Sequence, residues 1–470
     1  MQSPAPAAHL TDYGRDSQAC STDAIISSPL LPTRISAGPG PFHTSVEIAS
    51  RQARLEAAAK RVDYLRVSSN PSVPVRPRIA LVSPFWPSHD APHAGKPIYE
   101  TALRLQEYAQ VEVFCPVPNY PRLRWLQPAR HVYHRPDSRH TLEGMRAQYL
   151  EYSTLPWLGR QFNGLLTESA LGPALRAWRP DLILAYWLYP TAWAAVRVGR
   201  RLRVPVVVGS RGSDLHRIPD VLARRMTSRA MQDADAVLTV TEDLRRTAIG
   251  LGADPELAHS IPNGCDARTY HPVDRLEARR ALGLSEQGTL LLQVGQLLES
   301  KGVFDLWDAF VLLAIRISDL KLVLVGEGPA ESSIRSRAAN AGLAERLVMP
   351  GTRPAAEIAL WMNAADVVCL ASHGEGCPNV VIEALSCGRP VVGTNVGGIP
   401  ELIRDGCGMI APSRQPPAFA DAVQRTLATT WNPEAIAAGF RRTWADVARE
   451  TFAVCTASLS SYEAKRRRSH

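Results

Sequence analysis

Residues 366–403 read DVVCLASHGEGCPNVVIEALSCGRPVVGTNVGGIPELI. This stretch opens with a short apolar run, DVVCLAS, which is typical of a buried parallel strand. Gly374 and Gly376 then open a tight turn, and Pro378 stands where the first turn of a helix favours proline. We expect the helix that follows to end at Gly388, because glycine commonly caps helices. The next apolar run, RPVVGTN, predicts a second strand, and strand–helix–strand is the repeating unit of a parallel sheet.

Apolar runs of this kind recur along most of the chain. They are RIALVSPF (78–85), VEVFCPV (111–117), DLILAYW (181–187), VPVVVGS (204–210), AVLTVT (236–241), TLLLQVG (289–295), KLVLVGEG (321–328) and RLVMPG (346–351). Strands that alternate with helical segments predict doubly wound parallel sheets. The turn-rich segment 262–274 separates two such halves, so we expect two Rossmann-like α/β domains, 76–265 and 266–430. Ligands bind beyond the carboxyl ends of strands in such sheets, which predicts a site in the cleft between the domains.

Length and composition exclude several classes of protein. The chain has 470 residues, of which 45% are hydrophobic and 21% charged, so it can bury large cores. No stretch approaches the roughly 18 consecutive apolar residues of a membrane-spanning helix, and the N-terminus lacks the pattern of a secretory signal. The 8 cysteines form no CxxC or CxxH spacing, which favours a reduced, cytoplasmic protein without zinc. Residues 1–75, rich in Ala, Pro and Ser, are expected to be a disordered extension.

The net charge of +8 is unevenly distributed along the chain. The segment 76–265 carries +7 and the segment 266–430 carries −3. A basic half suits phosphorylated substrates, an anionic membrane surface or nucleic acid. Nucleic acid is disfavoured because no nucleic-acid-binding module accompanies the charge. The stretch 119–165 mixes Arg with Trp, Tyr and Leu and shows no clear strand, which suits either contact with anionic lipid headgroups or an irregular packed excursion.

The turn between 372 and 379 carries the residues with the clearest chemistry. A strand that ends in a glycine-bearing turn and a helix N-terminus forms an anion site, because free N–H groups and the helix dipole favour phosphate. Two carboxylates flank this site, Glu375 in the turn and Glu383 on the helix. A carboxylate in contact with phosphate would repel it. Each is therefore better suited to accept hydrogen bonds from the hydroxyls of a sugar or a ribose.

The Glu-x7-Glu arrangement in this segment resembles that of glycosyltransferase family 4, the retaining GT-B enzymes that use nucleotide sugars. Four further motifs carry the resemblance: Val294-Gly295-Gln296-Leu297 with Lys301-Gly302 (the family's GRL…KG), GEGP at 326–329 (its GDGP loop), PNGCD at 262–266 (its PNGVD linker) and Arg211-Gly212-Ser213-Asp214 (its HGxD). Gly95 follows the first strand, where the family carries a glycine. The resemblance covers roughly 78–460. It implies the GT-B fold, two Rossmann-like domains facing a central cleft, with a C-terminal helix in 431–470 that returns to the N-terminal domain and leaves a basic tail exposed.

The resemblance also implies a role for each matching residue. Lys301 would neutralise the donor diphosphate, Glu375 would bind hydroxyls of the donor sugar, and Glu383 would bind those of the ribose. Further donor-binding residues would be Gly95, Gln296, Gly326, Gly328, Gly376, Cys377, Asn379 and Val380. Among these, the glycines at 326 and 328 would border the base, and the amides from 376 to 380 would hold phosphate. Asp214 would line the acceptor side of the cleft.

Two positions depart from the family pattern. Gln296 stands where an arginine is usual, which removes one positive charge from the diphosphate site. Arg211 stands where a histidine is usual. We hypothesise that the Arg211 guanidinium supplies the missing charge, which places Arg211 beside Lys301 and Glu375 among the catalytic residues.

The inventory of reactive groups predicts a transfer that needs no metal. No residue stands out as a covalent nucleophile, and no DxD motif or clustered His/Asp set indicates a divalent cation. We therefore expect no cofactor besides the nucleotide-sugar co-substrate. The resemblance implies retention of the anomeric configuration. A UDP-sugar is favoured over GDP-mannose on family habit. The basic half and the stretch 119–165 suggest a glycan or polyprenyl-linked acceptor at the inner face of a membrane. A nucleotide-sugar epimerase, a non-catalytic nucleotide-sugar-binding protein and a phosphorylase are the alternatives.

Overall fold

The computed structural model describes residues 76–88, 94–120, 144–155 and 162–468. Within these ranges the chain forms two parallel sheets with helices between the strands. This confirms the predicted fold class, two doubly wound α/β halves. The extension 1–75 and most of the aromatic and basic stretch 119–165 lie outside the described residues, and so do the predictions made for them.

The first sheet has the strand order β3-β2-β1-β4-β5-β6-β7, with all neighbours parallel. Its strands are β1 (Arg78–Val82), β2 (Gln110–Asn119), β3 (Ala147–Ser153), β4 (Leu182–Tyr186), β5 (Val206–Gly209), β6 (Ala236–Thr239) and β7 (Ala258–Ser260). The helices of this half are α1 (Lys96–Leu105), α2 (Asn163–Trp178), α3 (Trp193–Leu202), α4 (Ser213–His216), α5 (Val221–Gln232) and α6 (Glu242–Gly250). A single irregular turn, Leu188–Ala192, joins β4 to α3.

The second sheet has the strand order β10-β9-β8-β11-β12-β13, again with all neighbours parallel. Its strands are β8 (Thr289–Val294), β9 (Leu320–Val325), β10 (Leu347–Gly351), β11 (Val367–Leu370), β12 (Val391–Thr394) and β13 (Gly408–Ala411). The helices of this half and of the C-terminus are α7 (Arg275–Ala281), α8 (Val303–Ala314), α9 (Glu331–Asn340), α10 (Ala355–Ala364), α11 (Asn379–Ser386), α12 (Ile399–Leu402), α13 (Pro416–Ala428), α14 (Pro433–Ala438) and α15 (Trp444–Arg468).

Each sheet is covered by helices on both faces. The buried apolar residues accordingly form one cluster on either face of the first sheet and one on either face of the second. Every residue of β4, β5, β11 and β12 is buried. Strands covered on both faces are apolar throughout rather than alternating, which is why they stand out in the sequence as continuous apolar runs.

Three strands, β3, β7 and β13, were not predicted from the sequence, and β3 lies in a stretch for which no strand was expected. The stretch 119–165 was expected to show no strand, but Ala147–Ser153 forms β3 at the edge of the first sheet. This edge strand, AQYLEYS, has exposed and half-exposed residues along most of its length, so it carries no apolar run. Strands β7 and β13 are only three and four residues long. Short or half-exposed strands bury too few side chains to leave a clear pattern.

The C-terminal segment returns to the first domain through α15 alone. Trp444, Phe452 and Cys455 of this helix are buried in the first domain's core, and Phe452 stacks on Tyr108 with ring centroids 5.2 Å apart. Ile436 of the preceding helix, α14, belongs instead to the core of the second domain. The part of 431–470 that returns to the first domain is therefore α15, which begins at Trp444. No helix in the described part of the chain is long and apolar enough to cross a membrane.

The two crossings between the domains run side by side. The linker residue Cys265 pairs with Thr443 as an isolated parallel bridge, and its N–H donates to Arg442 O at 2.9 Å. A Cβ on Gly264 would lie 2.4 Å from the carbonyl carbon of Thr443, so only glycine permits this approach. Arg442 also donates to Pro262 O at 3.0 Å. The two connections are thus joined to each other where they leave the second domain.

Candidate functional site

A cavity of about 650 Å³ lies between the two domains, at the carboxyl ends of the central strands. The strand order changes direction between β1 and β4 in the first sheet, and between β8 and β11 in the second. Such a switch point leaves a crevice, because the connections on its two sides cover opposite faces of the sheet. The residues that follow these four strands line the cavity. Phe85 and Gly95 follow β1, Trp187 follows β4, Gly295 and Gln296 follow β8, and Glu375 and Cys377 follow β11. The two switch points therefore face each other across it.

Lys301 and Glu375 form an ion pair on the wall contributed by the second domain. Lys301 Nζ lies 2.7 Å from Glu375 Oε1, and the same oxygen accepts a hydrogen bond of 2.7 Å from Ser372 Oγ. Gly302, with a φ of 66°, is the N-cap residue of α8, and a Cβ there would lie 1.8 Å from Ala371 O. Only glycine fits, and this close approach brings the turn that carries Lys301 against the end of β11. A cation suited to a diphosphate and a carboxylate suited to sugar hydroxyls thus share this wall.

The N-terminus of α11 adds a second positive feature to the same wall. Pro378 is the N-cap residue, no side chain caps the helix, and no acidic residue lies in its first turn. Cys377, Pro378, Asn379 and Val380 all line the cavity. The N–H groups of a first helical turn lack partners within the helix, and the helix dipole lies behind them. This end of α11 therefore suits a phosphate group, as the sequence predicts.

Glu383 lies one turn further along α11, on the face that carries Asn379 and Val380. It does not itself line the cavity in the described part of the chain. Burial raises the pKa of Glu383 to about 7, and the ammonium group of Lys96 from the first domain opposes this shift. At neutral pH the carboxyl group is therefore divided between its protonated and ionised forms.

Gly326 and Gly328 lie behind the cavity rather than along it. A Cβ on Gly326 would lie 2.0 Å from Gly295 O, and one on Gly328 would lie 2.4 Å from Leu297 O. The loop after β9 can therefore press against the loop after β8, which carries Gln296. Gln296 itself is exposed and lines the cavity. The structure thus places these two glycines where they shape the neighbouring loop, and their predicted role beside the base stays a prediction.

Gly95 lines the opposite wall, which belongs to the first domain. It is the N-cap residue of α1 with a φ of 68°, and a Cβ there would lie 2.4 Å from Phe85 O. Helix α1 has Pro97 in its first turn and no side-chain cap. Gly95, Pro97 and Ile98 all line the cavity. A second helix N-terminus therefore meets the cavity from the first domain, opposite α11.

Arg211 is connected to the second domain through Asn263. Its Nη2 donates a hydrogen bond of 2.6 Å to Asn263 Oδ1. Asn263 Nδ2 in turn donates to Asn379 Oδ1 at 2.6 Å and to Cys377 O at 3.2 Å. Asn263 is buried, and all four residues line the cavity. Burial lowers the pKa of the Arg211 guanidinium, which nevertheless stays charged at neutral pH. The linker amide thus fixes a cation beside the N-terminus of α11.

The two domains are in van der Waals contact beside this network. A Cβ on Gly376 would lie 2.5 Å from Arg211 O, and one on Gly212 would lie 3.0 Å from Gly376 Cα. Glu401, on α12, adds a polar link, because its two carboxylate oxygens accept hydrogen bonds of 2.7 and 2.8 Å from the first two N–H groups of α6. A carboxylate at a helix N-terminus satisfies donors that have no other partner. Glu401 of the second domain therefore caps a helix of the first.

Asp214 does not line the cavity in the described residues, although the resemblance implies an acceptor-side position. It is buried, and its Oδ1 accepts a hydrogen bond of 2.7 Å from Ser210 Oγ. Its Oδ2 accepts one of 3.0 Å from Leu188 N, in the turn that follows β4. Burial raises the pKa of Asp214, and these hydrogen bonds oppose the rise. Asp214 thus fixes the turn after β4 instead of reaching the cavity itself.

Phe85, Trp187 and Gln293 are among the lining residues that belong to no sequence motif. Phe85 and Trp187 form an edge-to-face pair with ring centroids 4.8 Å apart. Gln293 is buried at the end of β8, and its side-chain oxygen has no hydrogen-bond partner among the described residues. Such an orphaned acceptor suits a donor group on a ligand or a water molecule. In the sequence, these residues could have been found only by their place at the carboxyl end of a predicted strand, where ligands bind in open α/β sheets.

The described residues contain no group of three or more His, Cys, Asp or Glu side chains that could hold a metal ion. Asp233 and Asp235 do have the DxD spacing, contrary to the expectation that the chain carries none. Asp233 pairs with Arg200 at 2.7 Å and Arg229 at 2.8 Å, and Asp235 accepts from Val206 N at 2.8 Å. Neither aspartate lines the cavity. Both carboxylates therefore hold elements of the first domain together.

Comparison with known protein families matches each half of the chain separately. Glycosyl transferases group 1 matches residues 274–441, and the glycosyl transferase 4-like domain matches residues 95–264. TuaC of Bacillus subtilis (strain 168), a glycosyltransferase named for teichuronic acid biosynthesis, is 31% identical over 261 residues, which cover 54% of this chain and 64% of TuaC. The D-inositol 3-phosphate glycosyltransferase of Jonesia denitrificans is 32% identical over 258 residues, which cover 50% of this chain and 60% of that enzyme. The matches thus span less than two thirds of these relatives.

A solved structure shares the architecture over most of the chain. Anabaena HepE in complex with UDP and glucose matches with a TM-score of 0.60 and 20% sequence identity, over 82% of this chain and 100% of HepE. At this level of identity the likeness concerns the fold, two Rossmann-like domains on either side of a cleft.

Proposed function

Because the chain belongs to the glycosyl transferases group 1 family, with the GT-B fold, we propose that it is a retaining glycosyltransferase that uses a nucleotide-diphosphate sugar. The observation that carries this proposal is the cavity between the domains, where Lys301, Glu375 and the N-terminus of α11 share one wall. The bound UDP and glucose of HepE support a UDP-sugar as donor in preference to GDP-mannose. The name of TuaC supports an acceptor from cell-surface polysaccharide synthesis.

In this proposal, fixed positive charge at the cavity accelerates the transfer by stabilising the leaving group. Negative charge grows on the departing diphosphate, and a preorganised cation stabilises it without rearrangement. Lys301 and Arg211 would supply full charges, and the N-termini of α1 and α11 would supply partial ones. Both cations are already oriented, Lys301 by Glu375 and Arg211 by Asn263. We therefore propose that the transfer proceeds without a divalent cation.

The single acidic residue at the cavity supports the proposed stereochemistry. Glu375 is the one Asp or Glu that lines the cavity in the described residues. A double displacement would need a carboxylate nucleophile on the face of the donor sugar opposite the diphosphate, which departs without a general acid. Glu375 is paired to Lys301 and suited to the hydroxyls of the donor sugar, and no second carboxylate lines the cavity in the described residues. We propose that the acceptor attacks from the side of the leaving group.

We propose that the acceptor is presented at the inner face of a membrane. Three exposed apolar side chains lie near the N-termini of α2 and α5: Phe162 is 58% exposed, Leu165 50% and Val221 83%. Arg224 and Arg225 follow Val221 and are exposed as well. Both helices pack on the turn that follows Trp187, a residue of the first-domain wall of the cavity. Apolar side chains beside arginines suit an anionic lipid surface.

A vesicle co-sedimentation assay tests the membrane part. Vesicles of phosphatidylglycerol should retain the protein more strongly than vesicles of phosphatidylcholine, and Val221→Asp should reduce the retention. An equal distribution between the two kinds of vesicle would remove the membrane from the proposal and leave the transfer reaction standing.

A thermal-shift panel tests the donor. The panel contains UDP, GDP, UDP-glucose, UDP-glucuronate, UDP-N-acetylglucosamine and GDP-mannose, each with EDTA present. A ligand at 100 times its dissociation constant adds about 2.7 kcal/mol of apparent stability, which is readily measured. We expect uridine nucleotides to stabilise the protein and Lys301→Ala to lose most of the shift. Lys321→Ala is the matched control, because Lys321 is an exposed lysine on β9 that does not line the cavity.

The same panel separates the alternatives. A shift that needs a divalent cation would contradict metal-free binding, and no shift from any nucleotide would contradict the whole proposal. Product analysis follows with the stabilising donor. Conversion of the donor sugar without an acceptor would indicate an epimerase, and sugar 1-phosphate formed with inorganic phosphate would indicate a phosphorylase. The anomeric configuration of a transferred sugar, read from the coupling constant of its anomeric proton, tests retention.

A further inference from the structure

We propose that Trp187 and Phe85 form a platform on which a pyranose ring of the acceptor stacks. The platform is an acceptor subsite on the first-domain wall of the cavity. The inference rests on the proposed glycosyl transfer. It adds that the acceptor carries, next to the attacking hydroxyl, a sugar ring with an open face of C–H groups.

The backbone of Trp187 is the first observation behind this proposal. Its φ of 73° and ψ of 95° lie in a region that bulky residues rarely adopt. The residue comes directly after Tyr186, the last residue of β4, at the switch point of the first sheet. Strained backbone of this kind persists where the surrounding structure holds it, and such positions cluster at ligand-binding sites.

Three hydrogen bonds hold this strained turn in place. Trp187 N donates to Gly209 O at 3.1 Å, and Ala192 N donates to Trp187 O at 2.9 Å. Leu188 N donates to Asp214 Oδ2 at 3.0 Å. Asp214 is buried and does not reach the cavity, so its contribution to the site is to position Trp187. Asp214 would therefore act on the acceptor side indirectly, by positioning Trp187.

Phe85 is fixed as firmly as its partner. Ser83 Oγ donates to Phe85 O at 2.8 Å and accepts from Phe85 N at 3.2 Å. Gly95 lies against the same carbonyl, where a Cβ would come within 2.4 Å. The two rings meet edge to face, with an interplanar angle of 74°. Two aromatic side chains that are held this closely make a rigid apolar surface, which binds a ligand at little cost in conformational entropy.

The chemistry of the two walls decides which substrate this surface takes. The second-domain wall carries Lys301, Glu375 and the N-terminus of α11, all suited to a diphosphate and its sugar. Phe85 and Trp187 carry no charge and cannot neutralise a phosphate. An aromatic face instead covers the C–H face of a pyranose, while a hydroxyl at the ring edge can bond to a polar neighbour, here Ser213. The donor and the acceptor ring would thus occupy opposite walls.

The test deletes the ring without adding strain. Trp187→Gly removes the platform, and glycine adopts a φ of 73° without strain, so relief of the backbone strain offsets part of the packing lost against Phe85. Trp187→Phe keeps an aromatic surface. Trp178→Ala is the matched control, because Trp178 is a half-exposed tryptophan that lies outside the cavity, against Phe114 and Arg78.

The measurement is saturation-transfer NMR on the full-length, UDP-loaded protein. The probes are methyl β-glucopyranoside, methyl α-mannopyranoside, methyl β-galactopyranoside and methyl β-N-acetylglucosaminide, with geranyl phosphate as an isoprenoid probe. We expect at least one pyranoside to bind with saturation concentrated on its ring C–H protons. Trp187→Gly should weaken that binding about tenfold, Trp187→Phe should weaken it less, and Trp178→Ala should leave it unchanged. Trp187→Gly should still fold and should keep the wild-type shift in melting temperature with UDP.

Each other outcome overturns the platform. Equal pyranoside binding by wild type and Trp187→Gly would do so, as would the absence of binding by any of the four pyranosides. A loss of geranyl phosphate binding with pyranoside binding intact would assign the surface to a lipid chain instead. Failure of the proposed function has a different signature, because the wild-type protein would then show no stabilisation by UDP.

Discussion

Donor binding should release a proton from Glu383 near neutral pH. Burial raises the pKa of this carboxyl group to about 7. Ribose hydroxyls donate most strongly to the ionised carboxylate, so a bound donor should lower the pKa again. At pH 7 about half a proton should then leave per molecule of donor bound. With the carboxylate fully ionised in the complex, donor affinity should be about tenfold weaker at pH 6 than at pH 8, a difference of about 1.4 kcal/mol.

The assay is isothermal titration calorimetry at pH 6, 7 and 8, in buffers with different ionisation enthalpies. UDP-glucose is the probe, because its esterified diphosphate does not titrate in this range, whereas the terminal phosphate of UDP does. Glu383→Gln should bind with an affinity that is independent of pH and should release no proton. Glu100→Gln is the matched control: burial also raises the pKa of Glu100, Lys96 opposes it, and Glu100 does not line the cavity.

Two results would refute this reasoning. One is a wild-type affinity that stays constant from pH 6 to pH 8, which would mean that the carboxyl group does not titrate in this range or does not sense the ligand. The other is a Glu383→Gln variant that keeps the tenfold dependence, which would assign the proton to another group. The Glu100→Gln variant should retain the wild-type dependence in full.

Three further substitutions probe how the cleft is held. Arg211→Ala should weaken UDP-glucose binding about tenfold in calorimetry, because it removes a cation beside the N-terminus of α11. The control Arg217→Ala, at an exposed arginine, should bind as wild type does. Equal affinities of Arg211→Ala and the wild type would contradict the hypothesis that Arg211 replaces the missing charge. Glu401→Ala should weaken the association of the two domains by about 1 kcal/mol, because it removes the cap of α6, and should enlarge the radius of gyration measured by X-ray scattering. An unchanged radius of gyration would contradict this role of Glu401. Gly376→Ala places a Cβ 2.5 Å from Arg211 O and should prevent closure and donor-induced stabilisation, while Gly374→Ala, with nothing within 4 Å, should behave as wild type.

Much of the fold could be predicted because central parallel strands are buried on both faces. VPVVVGS and DVVCLAS are apolar throughout for that reason, and they became β5 and β11. Edge position removes the signal, as β3 shows, since AQYLEYS keeps most of its side chains partly in water. Helical character is visible in the sequence from 431 onward, but which domain's core Ile436 joins depends on packing.

The chemistry of the second-domain wall could also be predicted, because local constraints build it. Gly302 admits the approach of the turn that carries Lys301, and Pro378 begins the helix behind the anion site. These are properties of short segments, so a motif of a few residues carries them. The paired Lys301 and Glu375 are 74 positions apart, and their order along the chain already suggested a common site.

What the sequence determined by itself is therefore the architecture and the local structure of the second-domain wall of the cavity, since both follow from burial and backbone constraints within short segments. What only the tertiary structure decided is how distant segments complete the site. Asn263 joins Arg211 to Asn379 across separations of 52 and 116 positions, and Asp214 positions Trp187 through a neighbouring amide. Hydrogen bonds of this kind leave no periodic pattern in a sequence, because they depend on where separate loops meet and not on the local conformation of either loop.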